Sequence, residues 1–314
     1  MATRSKAGST AAVLLAWIVL LWPQPSRAQD AASPGFAEEQ AKLEEIYRSR
    51  GREVPRGYVV DRSLEAYTGM LPAEFDRALA ELGPQDRWLD IGAGEGQAIL
   101  DYYTSRYDRL HPEGRKRRGK KAKSVAISIE DRRTPRWHKA AAALERGKVQ
   151  YLHGKRLREH APEALGRFRL ITDVMGGFTY ALDLSRFVQR VMDLLEPDGS
   201  FFTVLQDVEV EQQTNLPFYD GYPFSTEIEN PGGPKVTICS WLKRITCAEV
   251  RCEPKEDWIP PMEAYHVRKV CESATVPPLV PVEFAAGTPP LRGYRLADAP
   301  RGPLPQESAS AGQR

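Results

Sequence analysis

Between residues 71 and 208 of this 314-residue chain, patterns typical of strands alternate with patterns typical of helices, which restricts the fold more than any other feature. The predicted strands are Arg87 to Ile91, Ser124 to Glu130, Val149 to His153, Phe168 to Val174 and Ser200 to Val208. The helices predicted between them are Gln97 to Tyr107, Thr134 to Arg146 and Asp183 to Leu195. This βαβαβ order predicts an α/β fold, a doubly wound and mostly parallel sheet with helices on both faces.

The beginning of the chain is predicted to lie outside this sheet. Residues 1–28 have a basic start, 12 consecutive apolar residues from Ala11 to Trp22, and Ser26-Arg27-Ala28 at the end. Such a segment is typical of an export signal, because a membrane-spanning helix needs about 20 apolar residues. We therefore expect a periplasmic or secreted protein after cleavage near Ala28. The alternatives are a membrane anchor that stays uncleaved and a cytoplasmic protein whose start codon is mis-assigned.

Composition and periodicity predict the remaining boundaries. Residues 29–70 are expected to be an N-terminal helical extension, because Phe36 to Arg50 is charged and periodic. Residues 71–274 hold the alternating pattern and are expected to be the main domain. Residues 275–314 contain eight prolines and are expected to be a largely disordered tail, since they bury too little apolar surface to offset the entropy of ordering. Only Val276 to Phe284 suits an extended strap that packs on the domain.

A glycine-rich segment follows the first predicted strand and reads Leu89-Asp90-Ile91-Gly92-Ala93-Gly94-Glu95-Gly96. Glycines allow a sharp turn and close approach to a ligand, and amide N–H groups at the start of the next helix favour a carboxylate. Ligands of doubly wound sheets bind beyond the carboxyl ends of the strands, so this segment is the candidate binding site, with a purely structural turn as the alternative. Its G-x-G-x-G spacing differs from the dinucleotide fingerprint and disfavours a nicotinamide oxidoreductase.

Four segments together resemble the class I S-adenosylmethionine-dependent methyltransferases. They are Trp88 to Gly96, Ala126 to Glu130, Arg169 to Asp173 and Leu194 to Phe201, which correspond in order to the cofactor loop, the second strand, the fourth strand and the entry to the fifth. The similarity covers roughly residues 71 to 208 and, more weakly, two strands near Ala248 to Glu253 and Ala264 to Val270. It implies a methyltransferase-like catalytic domain over residues 71–274, with seven strands in the order 3-2-1-4-5-7-6 and strand seven antiparallel.

The resemblance also implies a function, namely methyl transfer from S-adenosylmethionine to an acceptor that the sequence does not identify. The cofactor-binding residues that it implies are Asp90, Gly92, Gly94, Gly96, Glu130, His153 and Asp173. In this interpretation the Glu130 carboxylate holds the ribose hydroxyls and His153 lies near the adenine. Asp173 and Tyr180 are weak candidates for a catalytic role, and no general base is assigned. An exported, non-catalytic binding protein that retains the fold is the alternative.

Two further segments suggest contacts with partners. Glu209 to Pro234 is long and rich in aromatic residues, and we expect it to help form the acceptor pocket. Seven of the nine residues from Arg115 to Lys123 are basic, which favours a solvated loop, with an anionic surface such as lipid headgroups as the leading functional interpretation. Nucleic acid is disfavoured, because the run has no interleaved aromatic residues and the whole chain has a net charge of only +2.

The four cysteines, Cys239, Cys247, Cys252 and Cys271, all lie in the last third of the chain. No C-x-x-C pair occurs, so we predict no metal site. In an exported protein an even number of cysteines suggests disulfides. If the two closing strands pair antiparallel, Cys247 and Cys271 fall at neighbouring ends and can form a bridge, with buried free thiols as the alternative. We expect a monomeric or loosely associated protein.

Overall fold

The structure is a computed structural model that describes residues 62–103, 121–211, 224–230, 232–255, 262–285 and 290–297. The predicted export signal, the helix from Phe36 to Arg50, most of the basic run and the aromatic residues Phe218, Tyr219 and Tyr222 lie outside these ranges. Within the described ranges, no helix combines the length and the apolar character that crossing a bilayer requires.

The described chain forms eight α-helices, ten strands and a short 3-10 turn at Leu157–Glu159. The helices are α1 (Leu64–Met70), α2 (Glu74–Glu81), α3 (Gln97–Tyr102), α4 (Pro135–Ala142), α5 (Pro162–Leu165), α6 (Gly177–Tyr180), α7 (Leu184–Leu194) and α8 (Ile238–Leu242). The strands are β1 (Arg87–Ile91), β2 (Lys123–Ser128), β3 (Val149–His153), β4 (Phe168–Val174), β5 (Leu195–Gln206), β6 (Thr226–Glu229), β7 (Ala248–Lys255), β8 (Met262–Lys269), β9 (Leu279–Ala285) and β10 (Leu291–Leu296).

Seven strands form the central sheet in the order β3-β2-β1-β4-β5-β8-β7. The first five strands of this order are parallel, whereas β8 runs antiparallel to both β5 and β7. Counted within this sheet alone, the order is 3-2-1-4-5-7-6, and the predicted fold class is confirmed. The direction of winding reverses between β1 and β4, and a ligand crevice is expected at such a switch point.

Both faces of the sheet are buried under apolar side chains. On β4 and β5, Leu170 and Phe202 belong to one hydrophobic cluster, whereas their neighbours Ile171 and Phe201 belong to the cluster on the opposite face. Neighbouring strand residues point to opposite faces, so a strand that is covered on both sides carries apolar residues on both faces. Adjacent apolar residues of β4 and β5 therefore pack against opposite sides of the sheet.

Helix α7 is fixed at both of its ends. Asp183 caps the first turn, and its carboxylate accepts a hydrogen bond of 3.1 Å from the backbone N–H of Arg186. At the other end the buried ammonium group of Lys269 donates to the carbonyl oxygens of Met192 and Leu195, at 2.7 and 2.9 Å. A cation is favourable at a helix C-terminus, where carbonyl groups lack partners within the helix. The helix therefore has a fixed position beside the sheet.

Part of the predicted tail from Thr275 onward forms regular strands, and β9 overlaps the extended strap predicted over Val276 to Phe284. Strands β9 and β10 form a second sheet with β6 in the order β6-β10-β9, and Tyr294 and Leu296 are buried. Its prolines are compatible with this sheet because Pro281 lies on β9, an edge strand, where a missing N–H is tolerated. The sheet also takes β6 from the segment Glu209 to Pro234, which was expected to help form the acceptor pocket.

Arg292 of β10 connects this second sheet to the rest of the molecule. Its side chain is buried and donates to the carbonyl oxygens of Phe178 and Ala181 at 2.9 and 2.6 Å, and to the Thr226 hydroxyl at 2.7 and 3.0 Å. The Tyr294 hydroxyl adds a hydrogen bond of 2.5 Å to the carbonyl oxygen of Leu182. Strand β10 thus holds α6 and the two residues that follow it, because its side chains donate to their carbonyl groups.

The four cysteines form two disulfides. Cys247–Cys271 joins the ends of the two closing strands, and this predicted bridge is confirmed. Cys239–Cys252 joins α8 to β7, and the sequence did not suggest it because Cys239 lies on a helix outside the strand pair. Glu263 lies with the sulfur atoms of Cys239 and Cys252 in a group whose ligand atoms are within 4.8 Å of one another. Both sulfurs are bonded to each other, so this form of the protein leaves them unavailable to a metal ion.

The carboxyl group of Glu263 is buried on β8, and burial raises its pKa to about 7, partly opposed by the Tyr265 hydroxyl. The folded protein therefore binds this proton more tightly than the unfolded chain does. The stability that protonation contributes is fully present below the ordinary value of 4.5 and is lost as the pH rises through 7.

We expect the substitution Glu263→Gln to raise the free energy of unfolding at pH 8 by on the order of 2 kcal/mol, because it removes a buried carboxylate. At pH 4, where the native carboxyl group is already neutral, the change should be close to zero. Urea denaturation at both pH values measures the difference. An effect of the same size at pH 4 and pH 8 would show that the side chain acts through packing and not through its charge.

Candidate functional site

A cleft of about 880 Å³ opens at the carboxyl ends of β1, β2 and β4, at the switch point of the sheet. Its walls come from the glycine segment after β1, the end of β2, the turn after β4, the chain that follows β3 and one side of α7. Cavities that hold small molecules are typically about 300 to 1,000 Å³. The cleft is therefore large enough for a cofactor of nucleotide size together with part of a second molecule.

The glycine segment contributes its first two glycines to the cleft. Gly92 and Gly94 line it and have φ angles of 70° and 57°, in the left-handed region that favours glycine. A Cβ atom on Gly92 would lie 2.6 Å from the Cα of Gly176, so Gly92 allows the two cleft turns to touch. Gly96 lies outside the lining, and a Cβ atom there would lie 2.6 Å from the indole nitrogen of Trp137.

Asp90 lies beneath the glycine segment and outside the lining of the cleft. Its fully buried carboxylate accepts hydrogen bonds from the hydroxyl groups of Tyr67, at 3.0 Å, and Thr172, at 2.7 Å. Burial, reinforced by the charge of Asp90, holds the pKa of Tyr67 well above its usual value, so the phenol stays protonated and donates. Asp90 thus ties α1 to the sheet below the cleft.

Asp173 shapes the turn after β4 without facing the cleft. It is fully buried and accepts hydrogen bonds from the backbone N–H groups of Gly176 and Phe178, at 2.8 and 3.0 Å. Burial raises the pKa of Asp173 to about 7, although these two N–H groups oppose the shift. Tyr180, the other weak candidate for catalysis, does line the cleft. Of the two candidates, only Tyr180 is placed to contact a ligand.

Glu130 and His153 also lie outside the lining. The Glu130 side chain is 46% exposed and forms an ion pair with Arg132, and the His153 side chain is 41% exposed and lies 3.6 Å from an Asp131 carboxylate oxygen. The β2 residues that line the cleft are Ile127 and Ser128, the last two of the strand, and both are buried. The sequence prediction carried this strand two residues too far.

Tyr151 supports the glycine segment from β3, and the sequence analysis did not identify it. Its hydroxyl group donates a hydrogen bond of 2.5 Å to the carbonyl oxygen of Gly94. Its ring packs edge-on against Trp137, with 5.4 Å between the ring centroids, and the Arg133 guanidinium lies 5.5 Å from its centroid. The only available signal was the inward position of Tyr151 on a predicted strand, which does not distinguish this role from simple packing.

Basic side chains line the part of the cleft beyond β3 and along α7. They belong to Lys155, Arg156, Arg158, Arg186 and Arg190, with Arg62 from the segment before α1. The sequence analysis singled out none of them. They come from three separate stretches of chain, and only the folded structure brings them to one cleft.

No family model matches the chain, and no curated protein matches it in sequence. Among solved structures it is similar to the N-methyltransferase NodS from Bradyrhizobium japonicum WM9, at 12% identity over 66% of this chain and 97% of that one, with a TM-score of 0.40. PKMT2 from Rickettsia typhi in complex with AdoHcy is 16% identical over 49% of this chain and 27% of that one, with a TM-score of 0.32.

A SAM-dependent methyltransferase from Thiobacillus denitrificans, in complex with S-adenosyl-L-homocysteine, is 16% identical over 58% of this chain and 62% of that one, with a TM-score of 0.34. The chain thus spans less than two thirds of the length of the last two structures. The fold follows from the chain's own strand order, with one antiparallel strand next to β5, and from the glycine segment between β1 and α3. The described part of this chain has the class I methyltransferase fold.

Proposed function

We propose that the chain binds S-adenosylmethionine in the cleft and transfers the methyl group to an acceptor that remains to be identified. The observation that carries the proposal is the cleft at the switch point, lined by Gly92 and Gly94 at positive φ angles. A glycine turn at this position lets a ligand approach the backbone closely.

The residues that line the cleft suit most parts of S-adenosylmethionine. The backbone of Gly92 and Gly94 would hold its amino acid end, and the side chains of Ile127 and Ile129 give the neighbouring wall an apolar surface. The Ser128 hydroxyl would take the position near the ribose, because Glu130 is engaged with Arg132 outside the lining. When bound, the sulfonium supplies an activated methyl group, so the chain chiefly has to orient the acceptor and exclude water.

A specific observation favours the alternative, an exported binding protein that keeps the fold but transfers no methyl group. A carboxylate is expected at the ribose end of the cofactor, and in the structure Glu130 is exposed and paired with Arg132. A serine at the strand end offers one hydroxyl group where a carboxylate offers two acceptor oxygens. This weakens the expected binding of the ribose, and with it the case for a reaction that depends on S-adenosylmethionine.

Calorimetric titration with S-adenosylmethionine and with NAD tests the proposal. We expect the first to bind and the second not to bind. The variant Ser128→Ala should bind S-adenosylmethionine about tenfold more weakly, because it loses a hydrogen bond inside the cleft. Glu130→Gln, the matched control two residues further on, should change the affinity less than about twofold.

Absence of S-adenosylmethionine binding to the folded protein would overturn the proposal. Binding without formation of S-adenosylhomocysteine across acceptor classes would favour the non-catalytic alternative. If Glu130→Gln lowers the affinity for S-adenosylmethionine more than Ser128→Ala does, Glu130 leaves Arg132 and enters the cleft when the ligand binds.

We also propose that the protein acts outside the cytosol. The apolar segment from Ala11 to Trp22 with Ala28 after it supports export, and so do the disulfides Cys239–Cys252 and Cys247–Cys271, because such bonds persist in oxidising compartments. S-adenosylmethionine is made in the cytosol, so an exported enzyme requires a supply of cofactor in its own compartment.

A further inference from the structure

The wall of the cleft away from the glycine segment has an excess of positive charge. Three positions after β3 (Lys155, Arg156 and Arg158) and two on α7 (Arg186 and Arg190) line it. The two arginines on α7 are four residues apart, so they lie on the same side of the helix. The acidic residues in the lining are three, namely Glu159, Asp183 and Asp193.

Each of these three carboxylates already accepts a local hydrogen bond. The bonds are from the Arg156 backbone N–H to Glu159 at 2.6 Å, from the Arg186 backbone N–H to Asp183 at 3.1 Å, and from the Gln189 amide to Asp193 at 2.8 Å. Across the described ranges, the side chains of Lys155, Arg156 and Arg190 form no ion pair with a carboxylate. The lining therefore holds cationic groups that form no direct ion pair with a carboxylate.

Arg190 is the most informative of these cations. One terminal nitrogen donates to the carbonyl oxygen of His160, which joins α7 to the chain after β3, while Nε is buried without a hydrogen-bond partner among the described residues. Burial lowers the pKa of Arg190, although Asp193 and Glu163 oppose this shift. A guanidinium remains charged at neutral pH, and a partly desolvated cation is costly unless an anion compensates it.

His160, beside Arg190, carries no positive charge of its own at neutral pH. Burial lowers its pKa below the ordinary value of 6.5, so the imidazole is neutral at pH 7. The positive charge at this end of the cleft thus comes from lysine and arginine side chains, and it should persist across the physiological pH range.

We infer that this end of the cleft is a subsite for a multiply charged oxyanion, with a phosphate group as the ligand chemistry that it fits. Guanidinium groups donate two parallel hydrogen bonds to phosphate oxygens, and several cations from two elements match a group with more than one negative charge. The subsite is continuous with the glycine end of the same cleft. For the proposed function, on which this step rests, the methyl acceptor is a phosphorylated small molecule.

The test is a calorimetric titration of the full chain with inorganic phosphate, against sodium chloride at matched ionic strength. The double variant Lys155→Gln/Arg156→Gln should bind phosphate at least about tenfold more weakly, because charged hydrogen bonds are the strong ones. The control Arg167→Gln/Lys243→Gln removes the same charge from exposed ion pairs with Glu272 and Glu211, outside the lining, and should leave the affinity unchanged.

Two outcomes would overturn the subsite on phosphate binding alone. One is an equal phosphate affinity in the wild-type protein and the Lys155→Gln/Arg156→Gln variant. The other is an equal loss in the control variant, which would show a response to net charge only. Circular dichroism confirms that each variant is folded before it is titrated.

Titration of the same variants with S-adenosylmethionine separates this inference from the proposed function. The Lys155→Gln/Arg156→Gln variant should bind S-adenosylmethionine within about twofold of the wild-type affinity, because the glycine segment is unchanged. If both affinities fall together, these cations hold the cofactor's own carboxylate and the separate subsite is overturned. If the wild-type protein binds phosphate but not S-adenosylmethionine, the proposed function fails and the subsite stands.

Discussion

Replacing Arg292 by leucine is expected to lower the free energy of unfolding by about 3 kcal/mol, because buried acceptors lose their donor. Arg292 is 3% exposed, and its guanidinium group donates to the carbonyl oxygens of Phe178 and Ala181 and to the Thr226 hydroxyl. Each buried acceptor left without a donor costs about 1 to 3 kcal/mol, and removal of a buried charge offsets part of that cost.

Arg295→Gln is the matched control on the same strand. The Arg295 side chain is 43% exposed and pairs with Glu229 at 3.1 Å, so its loss should cost less than about 1 kcal/mol. Urea denaturation of both variants gives the comparison. If Arg292→Leu is no less stable than Arg295→Gln, the second sheet does not depend on this side chain for its attachment to α6.

The substitution Gly92→Ala should cost about 3 kcal/mol of stability, the sum of backbone strain and overpacking. The φ angle of 70° is unfavourable for alanine, and the new Cβ atom would lie 2.6 Å from the Cα of Gly176. The position of a Cβ atom is set by its own backbone and the Gly176 atom is a main-chain atom, so no side-chain rotation relieves this contact. The turns after β1 and β4 would have to separate, and we expect S-adenosylmethionine binding to be lost with them.

Gly147→Ala is the control that measures the backbone strain of a positive φ angle without a steric clash. Gly147 has a φ angle of 79°, and a Cβ atom there would meet nothing within 4 Å. Its substitution should therefore cost only about 1 kcal/mol, which is the backbone contribution alone. The difference between the two variants in thermal or urea unfolding measures the contact between Gly92 and Gly176. Equal losses would mean that the two turns separate freely and that their contact does not shape the cleft.

The sheet was predictable because parallel strands leave a strong pattern in the sequence. Strands such as β4 and β5 carry apolar residues on both faces, and α7 between them begins at the cap Asp183. The two closing strands, β7 and β8, were located within two residues of their observed bounds. The strand order came from the family resemblance, since periodicity alone does not determine which strands are neighbours.

The candidate site was predictable only in part, because facing a cleft depends on single-residue positions at the ends of strands. β2 ends at Ser128, and a predicted end two residues later placed Glu130 at the cleft in its place. Strand ends depend on hydrogen bonds to neighbouring strands, which one sequence does not reveal. Gly92 and Gly94 were identified because glycine adopts positive φ angles far more readily than other residues, which gives the turn a visible sequence signature.

The second sheet was missed because its stability comes from contacts distant in sequence. A proline-rich composition argues against a packed core, yet Arg292 contacts residues more than 60 positions away. Nothing near residue 292 signals that its side chain is buried, since arginine is mostly exposed in proteins. The basic end of the cleft was not predicted either, because its side chains come from stretches that are distant in sequence.

The attachment of β10 to α6 has a consequence for how the molecule is made. Chains emerge from the ribosome with the N-terminus first, and the glycine segment is complete when fewer than 100 of the 314 residues have been made. The donor to the carbonyl groups of α6 arrives only with residue 292. A product truncated by a premature stop codon before this position would contain every cleft-lining residue. It would lack the hydrogen bonds from Arg292 that hold α6, and α6 forms part of the cleft wall.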